Sequence, residues 1–403
     1  MARDEYTADF PSEIVREGKV HVLVPKLEAY GVMPSDYAPS RAPVFYNPVM
    51  EFNRDLTVLA FQAFQSIVGR EISICDPFTS QGIRGVRFAA EINGVKHILI
   101  SDINENAFKL AKHNVQLNGL EDIINIQNKD ANCVLTCNAS PQKRFDIVDI
   151  DPFGTPAPYL DSAVQAIRNN GLLASTATDL APLCGVHAKA CIRKYGGRPM
   201  RTEYCHELAV RLLAGCTAAI AARHDVGIHV VFSHSNEHYI RLYTQISYGA
   251  KKADESVKNL GYVLQCFNCL HRETAYQLFG SLQCPECGTK MDWAGPLWIG
   301  SIFNAAFIES MIKENQSRAF KNSARITKLL TQTKNESTAP PTYYVVDKLS
   351  GKLGLPSLPI QGFINALRAS GFQAVQTHFN SRGVRTDAPV PALNNILKVL
   401  ATK

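Results

Sequence analysis

From Glu71 onward, short apolar runs alternate with longer segments in which apolar residues recur every three or four positions. The runs "EISICDPF", "KHILISDIN", "DIINIQNKDA", "RFDIVDIDPFG" and "LLASTATD" end in polar or turn-forming residues and predict five strands. Between them, "VRFAAEI", "NENAFKLAKHNVQLNG" and "YLDSAVQAIRNNG" carry the period of helices, the second closed by a Gly stop signal. A long apolar helix is expected over 202–223. "GIHVVFSHS" and "HYIRLYTQISYG" then read as two late strands joined by a polar turn. Strands separated by helices imply a parallel sheet covered on both faces, whereas a short connection joins only antiparallel neighbours. The expected fold class is α/β: a doubly wound, seven-stranded, Rossmann-like domain with its last strand reversed at one edge.

The flanking segments have another character. Residues 1–50 are Pro-rich and read as irregular chain, with a helix expected from Asn53 to Val68. "GAKKADESVKN" reads as a linker. Past Gly261 come cysteine pairs, Trp293 and Trp298, then one basic helix over 313–335, a second linker "ESTAPPTY", a helix "IQGFINALRASG" and a strand-like "FQAVQTHF". These shifts divide the chain into an N-terminal segment (1–52), the α/β domain (53–250) and an α+β C-terminal domain (251–403) that contains a cysteine module (262–298).

Composition narrows the class. With 403 residues, 46% hydrophobic and 19% charged, this is an ordinary globular chain with material for a large core. A net charge of +6 permits an anionic partner without demanding one. The polar, acidic start lacks the apolar stretch of a secretory signal, and no apolar run approaches the roughly 18–20 residues of a bilayer span. No membrane association and no obligate protein partner are therefore expected. The 11 cysteines, scattered apart from one cluster, fit reduced thiols of a cytoplasmic protein with one metal site better than a disulfide framework.

In a doubly wound sheet, ligands bind outside the carboxyl ends of the strands. The first such end carries "CDPFTSQGIRG", in which Gly82 and Gly85 let the backbone turn and approach a ligand. It is neither a dinucleotide fingerprint nor a phosphate loop. The second ends at Asp102, an acid placed to accept ribose hydroxyls. The third ends at Asp130-Ala131, where a carboxylate can accept from an adenine amine. An adenosine ligand without phosphates fits this set, and S-adenosylmethionine is one, its sulfonium favoured by acidic surroundings. Its carboxylate needs a cation, for which Arg84 and Arg54 are candidates. The fourth strand ends in Asp151-Pro152-Phe153-Gly154. A carboxylate there can accept an N–H from an exocyclic amine as charge develops on nitrogen, and Phe153 can stack on the base. Asp149 reads as structural.

Cys266, Cys269, Cys284 and Cys287 form two Cys-x-x-Cys pairs with 14 residues between them. Four thiolates on two knuckles make a closed tetrahedral zinc site, structural rather than catalytic, with Gly288 folding the second knuckle back. Arg318, Lys321, Arg325 and Lys328 would line one face of a helix, and Arg193, Lys194, Arg198 and Arg201 form a second basic cluster; both suit phosphates.

The segments "VFYNPVMEFNRDL", "GIRGVRFAAE", "DIDPFGTPAPYLDSA", "ATDLAPLCGVHAKACIRKYGG", "EYCHELAVRLL" and "THFNSRGVRTDAP" together resemble the tRNA (guanine-N2-)-dimethyltransferase family, from about Val44 to the C-terminus. The resemblance implies a class I methyltransferase domain, S-adenosylmethionine as methyl donor, and guanine N2 of tRNA, at position 26, as acceptor. It assigns Arg54, Arg84, Asp102, Asp130 and Ala131 to the cofactor, Asp151 to catalysis, Phe45 and Phe153 to the guanine ring, and tRNA binding to the C-terminal domain. Pro77-Phe78-Thr79-Ser80 and Thr155 depart from the usual family residues. The four cysteines occur in only some members, some of which also modify position 27. Methylation of another RNA guanine (tRNA position 10 or rRNA), or RNA binding on an inactive methyltransferase scaffold, are the competing readings.

Overall fold

The computed structural model describes residues 8–31, 38–236, 238–278, 280 and 282–402. It forms two compact units: Met1–Asp151 with Asp161–Ala174 and Ser310–Thr327, and Pro152–Leu160 with Ser175–Glu309 and Lys328–Lys403.

The first unit opens with a hairpin, β1 (Ser12–Glu17) and β2 (Val20–Pro25), paired from Glu17↔Val20 to Ser12↔Pro25. This corrects the reading of 1–50 as irregular. The alternation in "VHVLVP" is clear, but flanking prolines mask so short a run. Helix α1 (Glu51–Val68) follows, then β3 (Ile72–Asp76), α2 (Ile83–Glu91), β4 (Val95–Ser101), α3 (Glu105–Leu117), β5 (Ile124–Gln127), α4 (Ala131–Cys137) and β6 (Phe145–Ile150). Buried ions tie the hairpin to the helices. Glu17 accepts from Arg54 at 2.6 Å and from Arg87 at 2.8 Å, and Arg87 also reaches Asp55 (2.7 Å) and Glu91 (2.8 Å). Arg87 has no exposed side-chain surface and faces three carboxylates, so losing Arg87 itself would leave their charge buried and poorly compensated.

Helix α5 (Leu160–Ala166) is shorter than expected, because β7 (Ile167–Ala177) already starts at β-branched Ile167 and takes in the Asn-rich stretch assigned to the helix. Strands β8 (Val226–Asn236) and β9 (Tyr239–Tyr248) are antiparallel partners. The seven-stranded sheet has the order β5-β4-β3-β6-β7-β9-β8, with β3 parallel to β4 and β6, and β4 parallel to β5. The α/β class, the strand count and the late hairpin follow the sequence reading, but the last strand, β9, lies between β7 and β8, and β8 takes the edge.

In the second unit come α6 (Leu180–Leu183), α7 (Ala188–Tyr195) and α8 (Cys205–Ala222). Helix α8 is long and apolar enough to cross a membrane by composition, but 72% of it is buried within the fold, as in a core helix. The expected linker at 249–259 is helix α9 (Ala250–Val257), with Ala253 and Ser256 buried. Two three-stranded sheets complete this unit. One has β10 (Leu260–Gln265) between β11 (Arg272–Ala275) and β12 (Asp292–Trp298); the other has β15 (Gly383–Thr386) between β13 (Tyr344–Val345) and β14 (Ala374–Gln376).

The single basic helix expected over 313–335 is two helices, α10 (Ala305–Gln316) and α11 (Ser323–Glu336). Packing in the first unit explains the break. Phe320 turns inward beneath the guanidinium groups of Arg87 and Arg318, and Asn322 donates to Asp55 at 3.0 Å. The expected basic stripe is thereby broken at its start by Arg318, while Lys321, Arg325 and Lys328 stay exposed. Arg318 reaches Gln62, Arg325 stacks on Phe52 at 4.2 Å, and Lys321 stays exposed near Glu51.

Candidate active site

The carboxyl ends of β3, β4 and β5 are stitched together by short hydrogen bonds within the first unit. Thr79 N–H donates to the Ser101 carbonyl, and the Ser101 hydroxyl donates to the Gln127 and Lys129 carbonyls. Ser80, in the left-handed region at φ 50°, donates its N–H to Asp102 at 2.9 Å and its hydroxyl to the Phe45 carbonyl at 2.7 Å. Phe45 and Asp102 therefore border one loop. Burial raises the Asp102 pKa, opposed by N–H groups of Asn104, Ser80 and Ile103. Asp130 caps α4, its Oδ1 accepting from Asn132 N–H at 2.9 Å and Cys133 N–H at 3.2 Å, and Ala131 begins that helix, buried.

Gly82 makes the expected turn, at φ 85°. Gly85 has another job: a Cβ there would lie 2.5 Å from Ile100 Cγ2, so its lack of a side chain lets α2 sit on β4 rather than admit a ligand.

At the end of β6 the chain concentrates charge. Arg84, only 7% exposed, reaches Asp151 at 2.5 Å and Asn53 at 2.7 Å through Nη2, and Asp149 at 3.6 Å and Thr57 at 3.3 Å through Nη1. Asp76 and Asp149 are fully buried and Asp151 is 17% exposed. Asp76 accepts from Phe78 N–H, while its Oδ2 has no hydrogen-bond partner among the described residues. Burial, and then the charge of Asp149, push the Asp76 carboxyl up to about 7 against the pull of Arg84.

Asp76 and Asn53 were passed over in the sequence, while Asp149, read as structural, is fully buried here. For Asp76 a signal lay in a repeated triplet, Asp-Pro-Phe, at 76–78 and 151–153. β3 and β6 are paired through Cys75↔Val148, and one step further on Asp76 faces Asp149. Arg54 does not join the cluster: its guanidinium forks onto Glu17 at 2.6 and 2.7 Å and also reaches the Asn47 carbonyl.

In the second unit, the turn after Asp151 is braced by its own network. Gly154, at φ 77°, donates to the Thr178 hydroxyl at 2.8 Å and accepts from Thr178 N–H at 2.9 Å. Thr155 donates to Tyr195, whose hydroxyl donates to Asp179 at 2.6 Å, and Lys194 holds the other oxygen of Asp179 at 2.9 Å. Phe153 stands on this turn with 76% of its surface exposed.

Also in the second unit, Cys266 and Cys287 lie 3.5 Å apart and Cys269 and Cys284 3.4 Å apart, all four sulfurs within 4.8 Å of one another. The two knuckles share one geometry. Leu270 (φ 70°) and Gly288 (φ 70°) follow their pairs, and the Leu270 and Gly288 N–H groups return to the Cys266 and Cys284 carbonyls. This donor set fits tetrahedral zinc. Of the second basic cluster, Arg198 is engaged by Asp292 (2.6 Å) and Trp293, while Arg193 and Arg201 are exposed.

The sequence profile of the N2,N2-dimethylguanosine tRNA methyltransferase family matches residues 18–398. The tRNA (guanine(26)-N(2))-dimethyltransferase of Methanothermobacter thermautotrophicus is 43% identical over 95% of this chain and 98% of its own. The tRNA (guanine(26)-N(2)/guanine(27)-N(2))-dimethyltransferase of Aquifex aeolicus is 36% identical over 93% of each. The structure of Trm1 from Pyrococcus horikoshii with S-adenosyl-L-methionine superposes with a TM-score of 0.83 at 32% identity, covering 96% of this chain and 99% of that one.

Proposed function

The chain belongs to the N2,N2-dimethylguanosine tRNA methyltransferase family, and on that premise we propose that it transfers one or two methyl groups from S-adenosylmethionine to the exocyclic N2 of guanine 26 in tRNA. The observation that carries the catalytic reading is the Asp151 carboxylate, partly exposed and held at 2.5 Å by Arg84 at the end of β6. Bound S-adenosylmethionine supplies an electrophilic methyl on a sulfonium. Asp102 would take the ribose hydroxyls, and Asp130-Ala131 the adenine edge. Arg84, and Arg54 if Glu17 releases it, would take the methionine carboxylate. An Arg84 turned to that carboxylate leaves Asp151, so cofactor binding would free the acceptor for the amine. Asp151 then accepts the N–H as nitrogen quaternises and takes the proton the amine must lose. Phe45 and Phe153 are the residues the family resemblance assigns to the guanine ring, which must swing out of its stack at a cost of roughly a few kcal/mol. Cys266, Cys269, Cys284 and Cys287 would hold a structural zinc. A tRNA substrate and reduced thiols support a cytoplasmic enzyme.

The Aquifex relative favours a second reading in which position 27 is modified too. Incubating unmodified tRNA with labelled methyl donor and mapping the product nucleosides tests both. Label at 26 alone supports the first reading and label at 26 and 27 the second; label at neither refutes the assignment.

A further inference from the structure

The second unit holds another convergence of soft donors. Cys184, Cys205 and His206 each bring one ligand atom, all within 4.8 Å of one another. All three side chains are half-buried, close enough to the surface for an ion to enter. They come from two places. Cys184 closes α6, its N–H bound to the Leu180 carbonyl, and Cys205 and His206 begin the 18-residue helix α8. Two thiols and an imidazole are the donor set of a Cys2His site, three protein ligands with a fourth position left for water.

We infer that Cys184, Cys205 and His206 form a second metal site, for a zinc-class ion, which clamps the end of α6 to the start of α8. The imidazole decides between an ion and a redox pair: a disulfide would need only the two sulfurs, whereas a metal uses all three donors. The clamp has a structural consequence. It closes the 20 residues from 185 to 204, which carry Lys189, Arg193, Lys194, Arg198 and Arg201. Tying the ends of that loop restricts the backbone presenting these cations. The two ends already approach closely, since a Cβ on Gly185 (φ +88) would lie 3.0 Å from Arg201 N. The site stands independently of the transferase reading.

Differential alkylation of the full chain tests it. The protein is stripped by a chelator under reducing conditions and treated with N-ethylmaleimide with and without added zinc, and each cysteine is followed by peptide mass spectrometry. Zinc is expected to slow alkylation of Cys184 and Cys205 by about tenfold or more, leaving the exposed Cys133 and Cys137 unchanged. Protection of Cys266, Cys269, Cys284 and Cys287 is read separately, so the four-cysteine site can fail without this one. Equal rates at Cys184 and Cys205 with and without zinc overturn the inference, as does a Cys184–Cys205 disulfide that zinc does not prevent. His206→Ala and Cys205→Ser, checked for wild-type melting, should each lose about one zinc per chain relative to the parent; unchanged content also overturns it. Where the variants fail to fold, the wild-type alkylation rates decide.

Discussion

Asp151 and Asp76 end neighbouring strands in the same Asp-Pro-Phe triplet, yet their surroundings give them opposite tasks. Asp151 retains 17% exposure and a cation at 2.5 Å, which leaves it open to a ligand. Asp151→Asn should lower methyl transfer by about 10²–10⁴-fold while cofactor affinity, read by calorimetry, stays within a few fold. Near-normal turnover would remove Asp151 from the mechanism. Asp76 is sealed in, its carboxyl raised to about 7 by burial and by Asp149. Between the ordinary aspartate range and that value, the folded protein binds a proton that the unfolded chain has released. Stability from this group therefore falls as pH rises from about 4 to about 7 and levels above that. Asp76→Asn should flatten the melting-temperature profile over that window; an unchanged slope would show that Asp76 is not the titrating group. That Asp102, Asp130 and Asp151 stand at strand ends was legible in the sequence, because each is polar where an apolar strand stops. The meeting of Asp76 with Asp149 was not, because it depends on the register of β3 against β6, which no local pattern encodes.

At the scale of elements, periodicity found the sheet because its strands are apolar along their whole length and bounded by turns. It failed where tertiary contacts override local character. Helix α9 buries only Ala253 and Ser256 and so looks like a linker, and the break between α10 and α11 is made by Phe320 turning toward Arg87. The cysteine module is the reverse case, since its knuckle spacing carries the geometry almost unaided. Its core is small, with Leu264, Cys266, Cys284 and Met291 the buried members, so a metal held by the four cysteines would supply much of its stability. Chelation is expected to speed amide exchange across β10–β12 by about 10²-fold or more. Protection that survives complete metal removal would mean the module folds on its own side chains.

The whole molecule carries a net charge of only +6, so tRNA affinity has to come from where cations are gathered rather than from overall charge. The helical stripe read from sequence offers part of that: Arg318 is engaged by Gln62, while Lys321, Arg325 and Lys328 are exposed. The segment 185–204 is the stronger candidate. Arg198 is engaged by Asp292, and Lys194 holds Asp179 beneath the Phe153 turn, while Arg193 and Arg201 are exposed. Phosphate contacts made by these two should appear as counterion release, each contributing roughly 0.7–0.9 to the slope of log affinity against log salt. The double variant Arg193→Glu, Arg201→Glu should weaken tRNA binding and make that slope shallower by about 1.5, with S-adenosylmethionine affinity unchanged because neither residue belongs to the proposed cofactor site. A salt dependence identical to the parent's would move the phosphate-binding surface elsewhere. If zinc holds the ends of this segment through Cys184, Cys205 and His206, stripping the metal should weaken tRNA binding in the same direction without altering the slope, since it loosens the backbone that presents the charges but removes none of them.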